Sequence, residues 1–189
     1  MESTSTGTVV AECGPCHRRH PKYDLARSAA EFKGPVREVL HKFKYNNATW
    51  LCRDLVDLLE GCAIAHYGNE RIDCICPVPL YPVKERSRGY NQAVLLGSEL
   101  GRRLKIPILP DILVRCRNTP TQTRMNADER RENVSGAFLS PLKRRPWTYG
   151  RNVLLVDDVM TTGSTLSECA AALKANGAER VLAITVARD

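Results

Sequence analysis

The C-terminal segment is the part of this sequence that most constrains the fold. It opens with the apolar run Asn152-Val153-Leu154-Leu155-Val156, the pattern of a strand that is covered on both faces. A turn over Asp157 to Gly163 follows, and Ser164 to Asn176 shows apolar residues at helical spacing. Val181 to Val186 is predicted as the next strand. A strand, a helix and a strand in this order predict a βαβ unit and therefore a parallel α/β sheet.

The composition is that of one moderate globular domain. The chain has 189 residues, of which 43% are hydrophobic and 26% charged, and a chain of this length can bury a core without disulfides. Its apolar runs, such as Val153 to Val156, are far shorter than the about 20 residues that a membrane span needs. Met1 to Thr8 lacks the cationic start and apolar run of a secretory signal. We therefore expect a cytoplasmic protein with no membrane partner.

The sequence before the C-terminal unit divides into a small N-terminal appendage, residues 1–45, and the start of the main domain, residues 46–189. The appendage carries a cysteine pair and a helix that begins at Gly34-Pro35. In the main domain, apolar spacing predicts helices at Trp50 to Tyr67 and Gly89 to Lys105, and strands at Ile72 to Pro79 and Ile112 to Val114. The residues from Arg117 to Gly136 are almost devoid of aliphatic side chains, which favours a functional or mobile loop.

Two adjacent carboxylates and a hydroxyl-rich turn follow the strand of the C-terminal unit. Ligands of open α/β sheets bind at the carboxyl ends of strands, and the amides of a helix start favour a phosphate group. Asp157 and Asp158 can accept hydrogen bonds from vicinal sugar hydroxyls, directly or through a divalent cation. A solvated turn with a plain N-cap is the alternative, but a cap needs one hydroxyl and this turn carries four. The pattern therefore predicts a ribose 5-phosphate site, whose phosphate cup is Thr161, Thr162, Gly163, Ser164 and Thr165.

The segment Val153 to Thr165 resembles the 5-phosphoribosyl-1-pyrophosphate (PRPP) signature of type I phosphoribosyltransferases. Further segments resemble the ComF (competence protein F) family: Val78-Pro79-Leu80, Arg88-Gly89-Tyr90-Asn91-Gln92-Ala93, Arg117-Asn118-Thr119-Pro120-Thr121-Gln122, and Arg130 to Phe138. The resemblance covers Glu31 to the C-terminus. It implies an α/β protein of the type I phosphoribosyltransferase fold, with a parallel sheet core, flanking helices and a small N-terminal appendage that contains cysteines.

The resemblance also implies which residues bind PRPP. Asp157 and Asp158 would contact the ribose hydroxyls and Mg²⁺ that arrives with PRPP, and Thr161 to Thr165 would bind the 5-phosphate. The turn from Pro79 and Leu80 to Arg88 would be the pyrophosphate loop. The segment from Arg117 to Gly136 would be a flexible loop that closes over PRPP and excludes water.

The implied reaction is displacement of magnesium pyrophosphate from C1 of ribose by an unidentified acceptor. Such a reaction depends on positioning and on charge stabilisation rather than on a nucleophile of the protein. We expect the catalytic residues to be Asp157, Asp158, Arg88 and Arg117, with Arg124 and Arg130 as further candidates for neutralising the pyrophosphate. The four histidines all precede these segments, and none is assigned a catalytic role.

The cysteines offer one metal site at most. Cys13 and Cys16, with His17 and His20 nearby, could form half of a zinc site, but structural zinc needs four ligands. ComF proteins commonly carry two such cysteine pairs and this chain has one, which is consistent with a shortened N-terminus, a degenerate site or ligation completed by His20. A metal-free segment is therefore at least as well supported as bound zinc. Most of the other cysteines lie in apolar or helical contexts, which predicts buried thiols.

A second hypothesis keeps the fold but makes the protein an accessory or regulator in DNA uptake that binds single-stranded DNA, PRPP or both. The chain has a net charge of +7, and residues 71–145 hold 15 Lys and Arg against 7 Asp and Glu, so we expect an anionic partner there. Single-stranded DNA grooves interleave cations with aromatic rings. Residues 71–145 contain only Tyr81, Tyr90 and Phe138 as aromatics, which favours a polyphosphate. A homodimer is the assembly that the family implies.

Overall fold

The computed structural model describes residues 20–119 and 127–189. Its centre is a sheet of four parallel strands in the order β1-β6-β5-β2. The strands of this sheet are β1 (Leu25–Glu31), β2 (Cys74–Pro77), β5 (Asn152–Met160) and β6 (Arg180–Arg188). Two further strands, β3 (Val114–Arg115) and β4 (Phe138–Leu139), form an antiparallel pair. The all-parallel central sheet confirms the predicted α/β class.

Seven helices are present in the described part of the chain. They are α1 (Gly34–Tyr45), α2 (Cys52–Tyr67), α3 (Pro82–Arg88), α4 (Gln92–Leu104), α5 (Ala127–Val134), α6 (Arg145–Thr148) and α7 (Ser164–Ala175). The helices predicted after Gly34-Pro35, within residues 50–67, within residues 89–105 and within residues 164–176 are confirmed. None of the described helices is long and apolar enough to cross a membrane.

The central sheet is covered on both faces, as parallel sheets require. Leu154 and Val156 of β5 pack in one core with residues of α1, α2 and α4. Val153 and Leu155 pack in a second core with α7 and with residues around the β3–β4 pair. This alternation follows from the two-residue period of a strand, which sends successive side chains to opposite faces.

Strand β5 is longer than the sequence predicts. The apolar run ends at Val156, but hydrogen-bonded pairing with β6 continues through Asp157, which is opposite Thr185, to Met160. Asp157 and Asp158 therefore belong to the strand, and the turn begins only at Thr161. The prediction of a turn from Asp157 to Gly163 is wrong in this respect because neighbour pairing, which the sequence does not display, extends the strand.

Strand β1 has no counterpart in the sequence-based predictions. Its sequence, Leu25-Ala26-Arg27-Ser28-Ala29-Ala30-Glu31, lacks the β-branched and aromatic residues that are typical of strands. It pairs in parallel with β6 at the edge of the central sheet. The central sheet thus contains β1 from the expected appendage, residues 1–45, together with three strands from the expected main domain, residues 46–189.

The segment around the β3–β4 pair also differs from the prediction. The expected strand Ile112 to Val114 is replaced by a 3₁₀ turn, Pro110–Ile112, and by the two-residue β3, which starts at Val114. Residues 117–136, predicted as a loop, contain the eight-residue helix α5. Arg124 and the rest of residues 120–126 lie outside the described residues, as do Cys13, Cys16 and His17.

Six cysteines lie in the described part of the chain, and four of them are buried as predicted: Cys62, Cys74, Cys76 and Cys169. Burial raises the pKa of the Cys76 and Cys169 thiols well above the usual range, so these side chains stay protonated. Cys52 is half-buried and Cys116 is exposed, the latter against the expectation.

Candidate functional site

The two aspartates at the carboxyl end of β5 point to opposite sides of the sheet. Asp158 shares the face of Leu154 and Val156, is only 6% exposed and forms an ion pair with Lys44 of α1 at 2.8 Å. Asp157 shares the face of Val153 and Leu155. Its Oδ1 accepts a hydrogen bond from the Asp158 amide at 2.8 Å. At the end of β5, one carboxylate therefore faces each of the two cores that cover the sheet.

The electrostatic environments of the two aspartates differ. Burial raises the pKa of Asp157 to about 7, and the negative charge of Asp158 contributes to the rise, while Lys44 and Arg115 oppose it. Burial by itself lowers the pKa of Lys44, but the Asp158 carboxylate outweighs this and the pKa lies above its usual value. Lys44 thus remains charged at neutral pH, whereas the proton on Asp157 can be gained or lost there.

The hydroxyl-rich turn joins β5 to the N-terminus of α7 as predicted. Gly163 precedes α7 with a φ of +78°, a conformation that favours glycine. Thr162 Oγ1 and Ser164 Oγ lie 2.8 Å apart and share a hydrogen bond. The turn therefore sits at the positive end of the α7 dipole with the Thr162 and Ser164 hydroxyls side by side, an arrangement suited to a phosphate group.

Tyr23 lies against this turn, which the sequence does not reveal. A Cβ atom placed on Gly163 would be 2.9 Å from the Tyr23 hydroxyl oxygen. The neighbouring Lys22 amide donates a hydrogen bond to Ser167 Oγ of α7 at 3.1 Å. The segment before β1 is thus fixed over the phosphate cup.

A cationic cavity of about 420 Å³ lies beyond the end of β2. Its lining holds three cations, Lys44, Lys84 and Arg88, and no acid among the described residues; the other lining residues are Tyr45, Asn47, Val83, Ser87 and Tyr90. Burial lowers the pKa of Lys84, and the charges of Arg115 and Arg88 lower it further. Cations crowded in this way repel one another, which an anion in the cavity would relieve.

Arg88 is held at the edge of this cavity. Its Nη1 donates to Gln92 Oε1 at 2.6 Å, and its guanidinium carbon lies 5.5 Å from the centre of the Tyr45 ring. Pro79 and Leu80, the other residues expected in the pyrophosphate loop, are half-buried between β2 and α3 and are not among the lining residues.

The arginines expected on the closing loop take different positions. Arg117 Nη2 donates to the backbone oxygens of Asn133 at 3.0 Å and of Ser135 at 2.7 Å, which holds it against the C-terminal end of α5. Arg130 is half-buried on α5. Besides Lys44, Arg115 of β3 acts electrostatically on Asp157. Sequence reasoning missed both cations because nothing in their local patterns relates them to β5.

The donor set suits a magnesium ion that arrives with a phosphate ligand. Mg²⁺ is bound in proteins through one or two carboxylates together with substrate phosphates and water. Asp157 and Asp158 are adjacent carboxylates at the end of β5, one on each face of the strand, and the described residues contain no group of three or more His, Cys, Asp or Glu placed to hold a metal ion. A Mg²⁺ ion that arrives with a phosphate ligand could be held here through Asp157, Asp158 or both.

Comparison with known proteins identifies the family. The phosphoribosyl transferase domain family matches residues 91–189. The chain is 36% identical to competence protein F of Haemophilus influenzae over 179 residues, which is 93% of this chain and 78% of that protein. It is 33% identical to the DNA utilization protein YhgH of Escherichia coli O157:H7, over 89% of this chain and 74% of that protein. The chain belongs to the competence protein F family.

Among solved structures, adenine phosphoribosyltransferase from Saccharomyces cerevisiae is similar to this chain with a TM-score of 0.48 and 17% identity, over 74% of this chain and 69% of that one. The family match and the parallel sheet give this ComF protein the type I phosphoribosyltransferase fold.

The segment that specifies the ComF resemblance, Arg88 to Ala93, is largely a structural joint in this member of the family. Asn91 caps α4 by accepting a hydrogen bond from the Ala93 amide at 3.0 Å and donates to the Val78 carbonyl at 3.1 Å. Tyr90 donates to the Phe43 carbonyl, and Gln92 Nε2 donates to the Lys44 carbonyl at 3.3 Å. These contacts join α4 to β2 and to the last turn of α1.

Proposed function

We propose that this ComF protein binds PRPP with Mg²⁺ and transfers the phosphoribosyl group to an acceptor with release of pyrophosphate. The observation that supports this most strongly is the ion pair between Lys44 and Asp158 at 2.8 Å, because it places the acidic pair beside the cationic cavity. A sugar with a phosphate at one end and a diphosphate at the other would meet complementary groups along this edge of the sheet.

Each part of PRPP has a matching part of the site under this proposal. The turn Thr161 to Thr165 binds the 5-phosphate at the start of α7. Asp157 and Asp158 accept hydrogen bonds from the ribose hydroxyls and hold Mg²⁺. Lys84 and Arg88 bind the diphosphate, with Pro79 and Leu80 forming the backbone that leads to them.

The chain's residues assist the reaction by charge and position. The bond between C1 and the pyrophosphate oxygen breaks with its electron pair leaving on pyrophosphate, while the acceptor's lone pair forms the new bond to C1. Positive charge that develops on the ribose is stabilised by Asp157, and negative charge on the leaving group by Arg88. Bound Mg²⁺ would supply further charge neutralisation of the pyrophosphate.

We also propose a cytoplasmic location, because a substrate with two highly charged phosphate groups does not cross membranes unaided. A homodimer is the assembly that we expect, and the acceptor is unidentified. Cys13 and Cys16 lie outside the described residues, so both alternatives, a metal-free segment and bound zinc, stay open there.

The test is calorimetric titration of PRPP with Mg²⁺ into the wild-type protein and into the double variant Asp157→Asn, Asp158→Asn. We expect the variant to lose at least about tenfold in affinity, because hydrogen bonds to charged groups contribute about 1.5–3 kcal/mol each. The titrations are run at about pH 8, above the raised pKa of Asp157, so that its carboxylate is ionised.

The matched control is Asp54→Asn, which removes an exposed carboxylate from the first turn of α2, at a residue with no assigned role in the site. Equal affinity in the double variant and the wild type would contradict the assignment of the acidic pair. A screen of nucleobases and amines for PRPP-dependent release of pyrophosphate then tests the transfer step. PRPP binding without release for any acceptor would favour a regulatory role.

Single-stranded DNA binding is the second candidate function, and it is favoured by one surface that lies outside the basic stretch of residues 71–145. Trp147 and Tyr149 are 50% and 64% exposed, just beyond the basic stretch that ended at Arg145. The Arg145 guanidinium carbon lies 5.3 Å from the centre of the Tyr149 ring. The names of the two relatives, competence protein F and DNA utilization protein, agree with a role in DNA uptake.

A further inference from the structure

Lys44 occupies a position that links two parts of the proposed site. It belongs to the last turn of α1, outside the matched domain at residues 91–189. Its ammonium group forms the ion pair with Asp158, and the same side chain lines the cationic cavity. Lys44 is therefore within reach of a carboxylate on one side and of a diphosphate in the cavity on the other.

The backbone of Lys44 is anchored, while its side chain is held by the ion pair and is partly exposed. The Gln92 side chain donates to the Lys44 carbonyl, and the Tyr90 hydroxyl donates to the preceding carbonyl of Phe43. The side chain of Lys44 is 30% exposed, while that of Asp158 is 9% exposed. A flexible four-carbon chain on an anchored residue can change partners without movement of the helix.

The charges around Lys44 favour such a change when an anion arrives. Without ligand, Asp158 is a buried carboxylate that needs a counter-ion, because an unpaired buried charge is costly. The cavity then holds Lys84 and Arg88 with no acid among its described lining residues. A diphosphate brings several negative charges to the cavity, and a divalent cation bound with it can take the place of Lys44 at the carboxylate.

We propose that Lys44 exchanges ionic partners, pairing with Asp158 when the cavity is empty and with the diphosphate when the ligand is bound. This inference rests on the proposed function and adds a binding residue from the N-terminal region to it. The exchange leaves Asp158 available to the ligand and supplies a third cation to the diphosphate.

The test compares Lys44→Met with the wild type in two separate titrations, one with inorganic pyrophosphate in metal-free buffer and one with Mn²⁺ alone. We expect pyrophosphate affinity to fall by about tenfold or more, since a hydrogen bond to a charged group is lost. Mn²⁺ affinity should rise, because Asp158 no longer has a lysine that competes with the metal. A purely structural role would lower both affinities together.

Two further variants serve as controls. Lys42→Met removes the same charge from an exposed position on α1 and should change neither affinity by more than about twofold. The second control places Lys44→Met in an Asp158→Asn background, where no buried carboxylate is left unpaired. Its pyrophosphate affinity is compared with that of Asp158→Asn alone. The comparison measures the loss due to Lys44 in a protein that an unpaired carboxylate does not destabilise.

The outcomes separate the inference from the proposed function. Lower pyrophosphate affinity with higher Mn²⁺ affinity supports the exchange. The exchange is overturned, but the proposed site is not, by either of two results. One is that Lys44→Met binds pyrophosphate as tightly as the wild type does. The other is that Lys44→Met binds Mn²⁺ more weakly than the wild type does. A wild-type protein that binds no pyrophosphate overturns the diphosphate subsite and the exchange with it.

Discussion

At the scale of single residues, two glycines show how differently the same residue type is used. Gly163 has a φ of +78°, and a side chain there would meet the Tyr23 hydroxyl at 2.9 Å. Gly61 lies on the exposed side of α2, where an added Cβ would meet nothing within 4 Å. The first glycine allows the turn of the phosphate cup to form beneath Tyr23, whereas the second only adds backbone freedom to a helix.

We predict opposite effects of alanine at these two positions on the free energy of unfolding. Gly163→Ala should lower it by about 1–2 kcal/mol, because a Cβ is unfavourable in the left-handed conformation. Gly61→Ala should raise it by about 0.5–1 kcal/mol, the usual gain for a glycine inside a helix. Urea denaturation of both variants measures these changes. A Gly163→Ala protein as stable as the wild type would show that the turn does not need the positive φ.

At the scale of elements, the joint between α1, β2 and α4 determines where Lys44 lies. Three consecutive residues, Tyr90, Asn91 and Gln92, make hydrogen bonds to the backbone of α1 and of the residue after β2. Because these bonds go to backbone carbonyls, they fix the helices regardless of the side chains that those helices carry. The site depends on this joint, since one of its cations comes from α1 and another from the end of α3.

We predict that Asn91→Ala destabilises the protein by about 1–3 kcal/mol, because it removes the N-cap of α4 and the donor to the Val78 carbonyl. Asn91→Ser keeps an oxygen that can cap the helix but does not reach Val78, so its loss should be smaller. Urea denaturation compares the two variants. Equal destabilisation by serine and by alanine would mean that the cap contributes nothing here.

At the scale of the whole molecule, the candidate site lies between the two layers that cover the sheet. Lys44 approaches Asp158 from the layer of α1, α2 and α4, while Arg115 influences Asp157 from the layer of the β3–β4 pair. The exposed rings of Trp147 and Tyr149 belong to a separate surface next to Lys143, Arg144 and Arg145. A protein with a net charge of +7 therefore offers two distinct candidate surfaces for anionic partners, the proposed PRPP site and the proposed DNA surface.

We predict that this second surface, if it binds single-stranded DNA, depends on its aromatic rings. The double variant Trp147→Ala, Tyr149→Ala should lose about tenfold or more in affinity for a fluorescein-labelled oligothymidine, because stacking contributes about 1–3 kcal/mol per base. Fluorescence anisotropy at constant salt concentration measures the affinity. Trp50→Ala, which removes another exposed tryptophan just before α2, should retain full affinity. An equal loss in Trp50→Ala would contradict a specific surface.

The sequence by itself determined the βαβ unit, the hydroxyl-rich turn and the family, because these depend on residues that are close together in the chain and have strong local patterns. Tertiary structure alone decided the extension of β5 through Asp157 and Asp158, the edge strand β1, and the partners Lys44, Arg115 and Tyr23. Each of these arises from pairing or packing between distant segments. Strand pairing and ion pairs depend on which distant segments the fold brings together. A local pattern of residues does not indicate which segments those are.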